Sequence, residues 1–180
     1  MRLFCLVLIL LACSLAFGAD VESRVLTRYL PQDMLEKAVR TEDWTEIALD
    51  VKGGARKGDT VRVWAGGLVD RGNGDQPGQN AGPASGVEPS QAPADPQVLA
   101  LSQQTAHAYA VLFKTESAGP HKAPLPGKPL EIVLTKDKEK FFVGFNDERG
   151  RYQDNHLGKG RRHELDPLWV RIEVVRTVVD

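Results

Sequence analysis

Two aspartates and two asparagines lie within the ten residues Asn146–Asn155, around a single glycine, Gly150. Carboxylate and amide oxygens are ligands that calcium prefers, and the ion takes about six to eight oxygens in all. A chain can wrap an ion only where it turns sharply, which Gly150 permits. Asp147 would then approach from one side, and Asp154 with Asn155 from the other. The segment predicts a calcium loop and does not suit zinc or copper, which favour His and Cys.

The same residue types also form ordinary turns, in which Asp147 and Asn155 would bond their own backbone. Composition alone does not decide between the two interpretations. The histidines are scattered, with neither metal-site spacing nor a triad pattern: His107, His121, His156 and His163. No pair of carboxylates can be assigned to hydrolysis. We therefore expect a binding protein and not an enzyme.

The elements that would position this loop are short apolar runs, most of them with the alternation that marks half-buried strands. The predicted strands cover 47–51, 61–65, 105–114, 130–135, 141–145 and 169–179. Several short strands separated by turns predict an all-β fold, a β-sandwich or jelly roll. One short helical segment precedes them, where Pro31 and Asp33 mark a helix start.

Residues 1–19 have the pattern of an export signal, with Arg2 followed by an apolar run that is too short to span a bilayer. Two cleavage sites compete. Ala16 and Gly18 suit an ordinary signal peptidase, whereas a lipobox ending at Cys13 would make 1–12 a lipoprotein signal and Cys13 a lipid anchor. The expected location is periplasmic, outer-membrane-anchored or extracellular. We expect a partly helical lead-in segment over 20–43 and one domain over 44–180, with a long loop at 70–97.

Charge and cysteine usage exclude several classes of function. Cys5 and Cys13 both lie in the signal, so the folded part has no disulfide framework. Without Arg2, 22 Lys and Arg face 24 Asp and Glu, a balance that argues against nucleic-acid binding. No second apolar stretch is long enough for a transmembrane helix.

Two segments resemble a known family. The phrase Phe145-Asn-Asp-x-x-Gly-x-Tyr-x-Asp-Asn155 is similar to the ion loop of bacterial calcium-dependent galactose-binding lectins of the PA-IL type. Lys57-Gly-Asp-Thr-Val-x-Val-x-Ala-x-Gly67 resembles the second strand of that family. The resemblance runs over about 44–175 in the family's order. It implies a galactose-binding-domain-like sandwich with a galactose-like sugar or glycoconjugate as ligand. It is also compatible with a homo-oligomer.

The resemblance also implies the roles of individual residues. Side chains of Asp147, Asp154 and Asn155 would hold Ca²⁺, with the backbone carbonyls of Arg151 and Arg71. The sugar would contact a wider set that includes the earlier loop: Asp147, Glu148, Arg151, Asp154, Gln76, Gln79 and Asn80. The chain departs from the family at Glu148 and Arg149, where an apolar residue and a proline are usual, and in a longer insert over 157–167.

Two alternatives to a lectin stay open. A module that binds calcium for stability alone is physically sufficient, because an ion bound only by the folded state stabilises it. An envelope lipoprotein that contacts a partner through 20–43 is the other.

Overall fold

A computed structural model describes residues 21–72, 81–86, 92–157 and 167–178. The predicted export signal and the Cys13 anchor lie outside the described residues. The strands are β1 Val21–Tyr29, β2 Thr45–Ile47, β3 Thr60–Gly66, β4 Leu68–Asp70, β5 Ala81–Pro83, β6 Val111–Thr115, β7 His121–Lys122, β8 Leu130–Val133, β9 Phe141–Phe145 and β10 Trp169–Val178. Helix α1 spans Gln32–Val39, and short 3₁₀ turns occur at Pro96–Val98, Thr105–His107 and Tyr152–Asp154.

The protein is a β-sandwich of two four-stranded antiparallel sheets, as the sequence predicted. The first sheet has the order β1-β10-β3-β8 and the second β2-β9-β6-β7. Alternate residues of β3 and β10 are buried, and they join those of β6 and β9 in one apolar core. Phe113 and Phe141, on neighbouring strands of the second sheet, stack in this core with ring centroids 6.1 Å apart. Among the described residues, no helix has both the length and the apolar character needed to cross a bilayer.

The N-terminal segment differs from its prediction as a lead-in. Val21–Tyr29 is a full strand that pairs antiparallel with β10 from Val21↔Val178 to Tyr29↔Arg171. The alternation was hard to recognise because charged Arg24 and Arg28 interrupt it and the strand lies at a sheet edge. The helical part of the prediction is present, as α1.

Three other segments differ from the prediction. In the first, 47–51, only Ile47 is strand, as the last residue of β2, because the chain turns after it and the Val51 N–H bonds the carbonyl of Leu49 at 2.7 Å. The run 105–114 becomes strand only at Val111, because Tyr109 has a φ of 52°, which no extended strand accommodates. The long loop 70–97 starts at Asp70, the last residue of β4, and contains β5, which pairs antiparallel with β4. Residues 73–80 and 87–91 of that loop lie outside the described residues.

Candidate functional site

The loop after β9 is closed on itself by one tyrosine. The hydroxyl of Tyr152 donates to the carbonyl of Phe145 at 2.8 Å and accepts from the backbone N–H of Asp147 at 2.9 Å. Tyr152 is buried, so these bonds are shielded from water. They hold the 3₁₀ turn that carries Asp154 and Asn155 against the strand end that carries Asp147. The sequence motif contained this tyrosine, but its role was not predicted.

Asn146 fastens the same strand end to a neighbouring loop. Its Oδ1 accepts from the N–H groups of Leu101 and Ser102 at 3.0 and 2.9 Å, and its Nδ2 donates to the carbonyls of Ser102 and His107, both at 2.9 Å. The side chain is fully buried and its amide groups are all engaged. Asn146 is therefore a structural residue of the loop and not an ion ligand.

The three side chains predicted to hold the ion each carry one buried oxygen without a hydrogen-bond partner in the described part of the chain. Asp147 Oδ2, Asp154 Oδ1 and Asn155 Oδ1 are buried and have no hydrogen-bond partner among the described residues. A buried polar atom without a partner costs roughly 1–3 kcal/mol, and more if it is charged. Three such oxygens on one loop match the hard oxygen donors that calcium takes, so the residues present fit this ion.

Burial dominates the electrostatics of Asp147. Desolvation raises the pKa of this carboxyl from 3.8 to about 6, and the negative charge of Glu148 acts in the same direction. The neighbouring Asn155 amide, the Glu148 N–H at 2.7 Å and the Arg71 guanidinium oppose the rise without cancelling it. The protein neighbours thus do not fully offset the cost of burying ionised Asp147. A bound cation would offset the remainder.

The residues after β4 form the second wall of the site. Asp70 and His156 exchange two backbone hydrogen bonds, from Asp70 N–H at 2.9 Å and from His156 N–H at 2.8 Å. This pairing brings the Arg71 backbone beside the Asp154–Asn155 turn. Gly72 adopts a φ of +63° and lies directly against the Asp154 side chain. The structure therefore brings the two predicted ligand segments together.

A chain of polar side chains borders this wall. The Arg71 guanidinium lies 4.3 Å from the ring centroid of Tyr109, and the Tyr109 hydroxyl donates to Glu148 Oε1 at 2.6 Å. Glu148 Oε2 also lies 3.4 Å from Arg151 Nε. Tyr109 was not predicted as a site residue, because it was assigned to a strand. Its left-handed backbone takes it out of the strand, and its hydroxyl takes part in this chain of contacts.

The predicted site residues divide into three groups. Asp147, Asp154 and Asn155 lie on the one loop that Tyr152 closes, with Arg151 exposed at its turn and Arg71 on the facing segment. Glu148 is half-buried and bonded to Tyr109 and Arg151. The predicted sugar contacts Gln76, Gln79 and Asn80 lie outside the described residues.

An open cavity of about 250 Å³ adjoins the loop, lined by Gly150, Arg151, Gln153 and Asp154. Within the described ranges, no three His, Cys, Asp or Glu side chains form a metal cluster. An ion here would therefore need the Asn155 amide and backbone carbonyls in addition to the two aspartates.

Comparison with known proteins gives a likeness in structure but none in sequence. No family model matches the chain, and no curated protein matches it. A solved structure described as the EclA N-terminal domain, a PllA-like lectin, is similar to it over 85% of this chain and 97% of that one. The identity is 13% and the TM-score 0.39. The β-sandwich assignment rests on the strands themselves.

Proposed function

We propose that this protein binds carbohydrate through a calcium ion held by Asp147, Asp154 and Asn155, with a galactose-like sugar as ligand. The observation that carries the proposal is the set of three buried oxygens without partners, one on each of these side chains. A turn stabilised only by its own backbone would have satisfied them. Backbone carbonyls of Arg151 and Arg71 would add to the protein ligands, as the sequence resemblance implies.

Calcium in such a site supplies a hard cation to which two adjacent sugar hydroxyls bind in place of water. The protein's part is to hold its oxygens in place and to accept the hydroxyl protons. Asp147 and Asp154 are suited to this second task because a carboxylate offers more than one acceptor position per oxygen. The cavity beside Asp154 opens the loop to a ligand on one side.

The second candidate is a calcium-stabilised module that binds no sugar. One observation favours it: the carboxylate of Glu148, predicted to contact sugar, is already bonded to Tyr109 and paired with Arg151. The Glu148 carboxylate is therefore already engaged by other side chains of the protein. Export to the envelope, a homo-oligomeric state and the absence of enzymatic activity stay predictions under either candidate.

Thermal melts in EDTA, in calcium, and in calcium with galactose separate these candidates. We expect the melting temperature to rise with calcium and to rise further with galactose. A rise with calcium alone would favour the structural module or another sugar, and a glycan array would decide between them. No response to calcium would contradict both candidates.

Two variants control this experiment. Asp154→Ala removes one of the unpaired oxygens and should shrink the calcium response. His156→Ala should leave it unchanged, because the variant keeps the backbone pairing with Asp70 and loses only a half-exposed ring, whose Nδ1 lies 3.7 Å from Glu36 Oε1.

A further inference from the structure

The N-terminal segment contacts the ion loop at three separated points. The carbonyl of Val39 accepts from Asn155 Nδ2 at 2.8 Å, and Arg40 Nη2 donates to the carbonyl of Gln153 at 2.9 Å. The carboxylate of Glu42 accepts a short hydrogen bond from the N–H of Gly150. These contacts span the loop from the turn at Gly150 to the predicted ligand Asn155.

The contact to Asn155 determines which amide atom is available to an ion. Val39 is the last residue of α1, and the final carbonyls of a helix have no partner within it. The Val39 carbonyl accepts a hydrogen bond from the NH₂ group of Asn155, and this bond fixes the orientation of the amide. The opposite atom, Oδ1, is the buried oxygen without a partner. The helix end therefore leaves Oδ1 as the atom of the Asn155 amide that is available to an ion.

Helix α1 is a firm support because it is itself docked on the sandwich. Leu35, Ala38 and Val39 are buried in the core. Gln32 Nε2 donates to the carbonyl of Leu168 at 3.1 Å, just before β10. The preceding Leu30 N–H donates to the carbonyl of Val170 at 2.9 Å. The first sheet thus fixes the position of α1, and the end of α1 in turn contacts the ion loop.

We propose that α1 and Glu42 position the calcium loop, so that docking of the N-terminal segment and ion binding reinforce each other. This inference rests on the proposed function, since it describes how the same ion site is held. Coupling of two equilibria is reciprocal: a docked helix raises ion affinity by the same factor by which the ion favours docking. Glu42 is a positioning residue that acts through the Gly150 backbone.

Calcium titration of Glu42 variants of the full protein tests the positioning role. Glu42→Ala loses the acceptor for Gly150 and should weaken calcium binding about fivefold, the factor that one net hydrogen bond corresponds to. Glu42→Gln keeps a carbonyl acceptor without the charge and should stay within about twofold of wild type. Equal losses in both variants would assign the effect to charge and overturn the positioning role.

Glu46→Ala is the matched control, because Glu46 is exposed and pairs with Lys140. Its calcium affinity should equal that of wild type. Melting temperatures in EDTA should be similar for all three variants, which separates loss of positioning from loss of folding. Unchanged affinity in Glu42→Ala would overturn the inference while leaving the proposed function intact.

Asn155→Asp gives a second, opposed test. A carboxylate is the stronger calcium ligand, so ligand chemistry alone predicts tighter binding. Positioning predicts weaker binding, because the variant has no NH₂ group for the Val39 carbonyl and places a negative charge at a helix C-terminus. Tighter binding by this variant would contradict the role of α1.

Hydrogen exchange of residues 32–40 provides the reciprocal readout. Calcium should slow exchange of the α1 amides in wild type and do so less in Glu42→Ala. Calcium binding without any slowing in wild type would overturn the coupling alone. No calcium binding by wild type would overturn the proposed function and, with it, this inference.

Discussion

Gly72 lies so close to Asp154 that no side chain fits between them. A β-carbon on Gly72 would lie 2.4 Å from Asp154 Cγ and 2.5 Å from its Oδ2. The two residues are 82 positions apart in sequence, and the backbone pairing of Asp70 with His156 brings them together. Close packing here fixes one carboxylate of the proposed ion site through the wall that carries Arg71.

Gly72→Ala should therefore weaken calcium binding by displacing Asp154. We expect roughly a tenfold loss of affinity, which corresponds to about 1.4 kcal/mol. The variant also carries strain from its φ of +63°. Gly127→Ala controls for strain, since Gly127 has a φ of +87° and nothing within 4 Å of the added carbon. Equal calcium affinities in the two variants would contradict the close-packing argument.

Calcium affinity should fall as the pH drops below about 6, the value to which burial raises the pKa of Asp147. The ion needs the ionised carboxylate, and a protonated one competes with it. Titration calorimetry at pH 5, 6, 7 and 8 checks this, with roughly a tenfold loss per pH unit on the acid side. Constant affinity down to pH 5 would show that Asp147 does not ligate the ion.

Without calcium, the same carboxyl should make the protein more stable in mild acid. Its folded pKa of about 6 exceeds the ordinary 3.8, so the folded state binds more protons between these values. The contribution of Asp147 to stability rises as the pH falls from above 6 toward 4. Asp147→Asn should remove this trend and the calcium response, and should melt no lower than wild type in EDTA at pH 7. A wild-type excess over the variant in EDTA would contradict the buried-charge interpretation.

Glu139 should have the opposite pH dependence. Burial opposes its charge, but hydrogen bonds outweigh burial, and they include those from Thr115, Ser117 and the Thr135 N–H at 2.6 Å; together they lower its pKa to about 2. Its stabilisation is complete above pH 4.5 and is lost as the pH falls toward 2.

Glu139→Ala should accordingly destabilise the fold at pH 7, by about 1–3 kcal/mol for the buried donors left without an acceptor, measured by urea unfolding. Glu131→Ala is the control, because Glu131 is half exposed and its pairing with Arg62 is worth about 1 kcal/mol at most. Similar losses in both variants would argue against the buried network around Glu139.

Strands made of buried apolar runs could be predicted from the sequence, whereas the alternation of Ile47, Leu49 and Val51 predicted a strand that the chain forms only at Ile47. Phe141–Phe145 matches its predicted bounds, and the last strand ends within a residue of its prediction. Val21–Tyr29 was missed because an edge strand needs only one partner and tolerates charged residues on its exposed face. Its pairing with β10 brings together the first and last described residues. The residue pattern within a single segment does not reveal such a distant partner.

The candidate site shows the same division. Asp147, Asp154 and Asn155 were predicted because they lie within one short motif. Their support was not, because it comes from distant parts of the chain: Val39 lies 116 residues from Asn155. The bond between them depends on where α1 ends in space, which the spacing of residues in the motif does not encode.

The most direct test of the central claim is a crystal structure of the protein grown with calcium and galactose. We expect an ion at about 2.3–2.6 Å from Asp147 Oδ2, Asp154 Oδ1 and Asn155 Oδ1, with two sugar hydroxyls completing its shell. An ion without sugar would support the structural module. If, in the presence of calcium, the three oxygens were bonded only to water or to protein N–H groups, the calcium site would be contradicted.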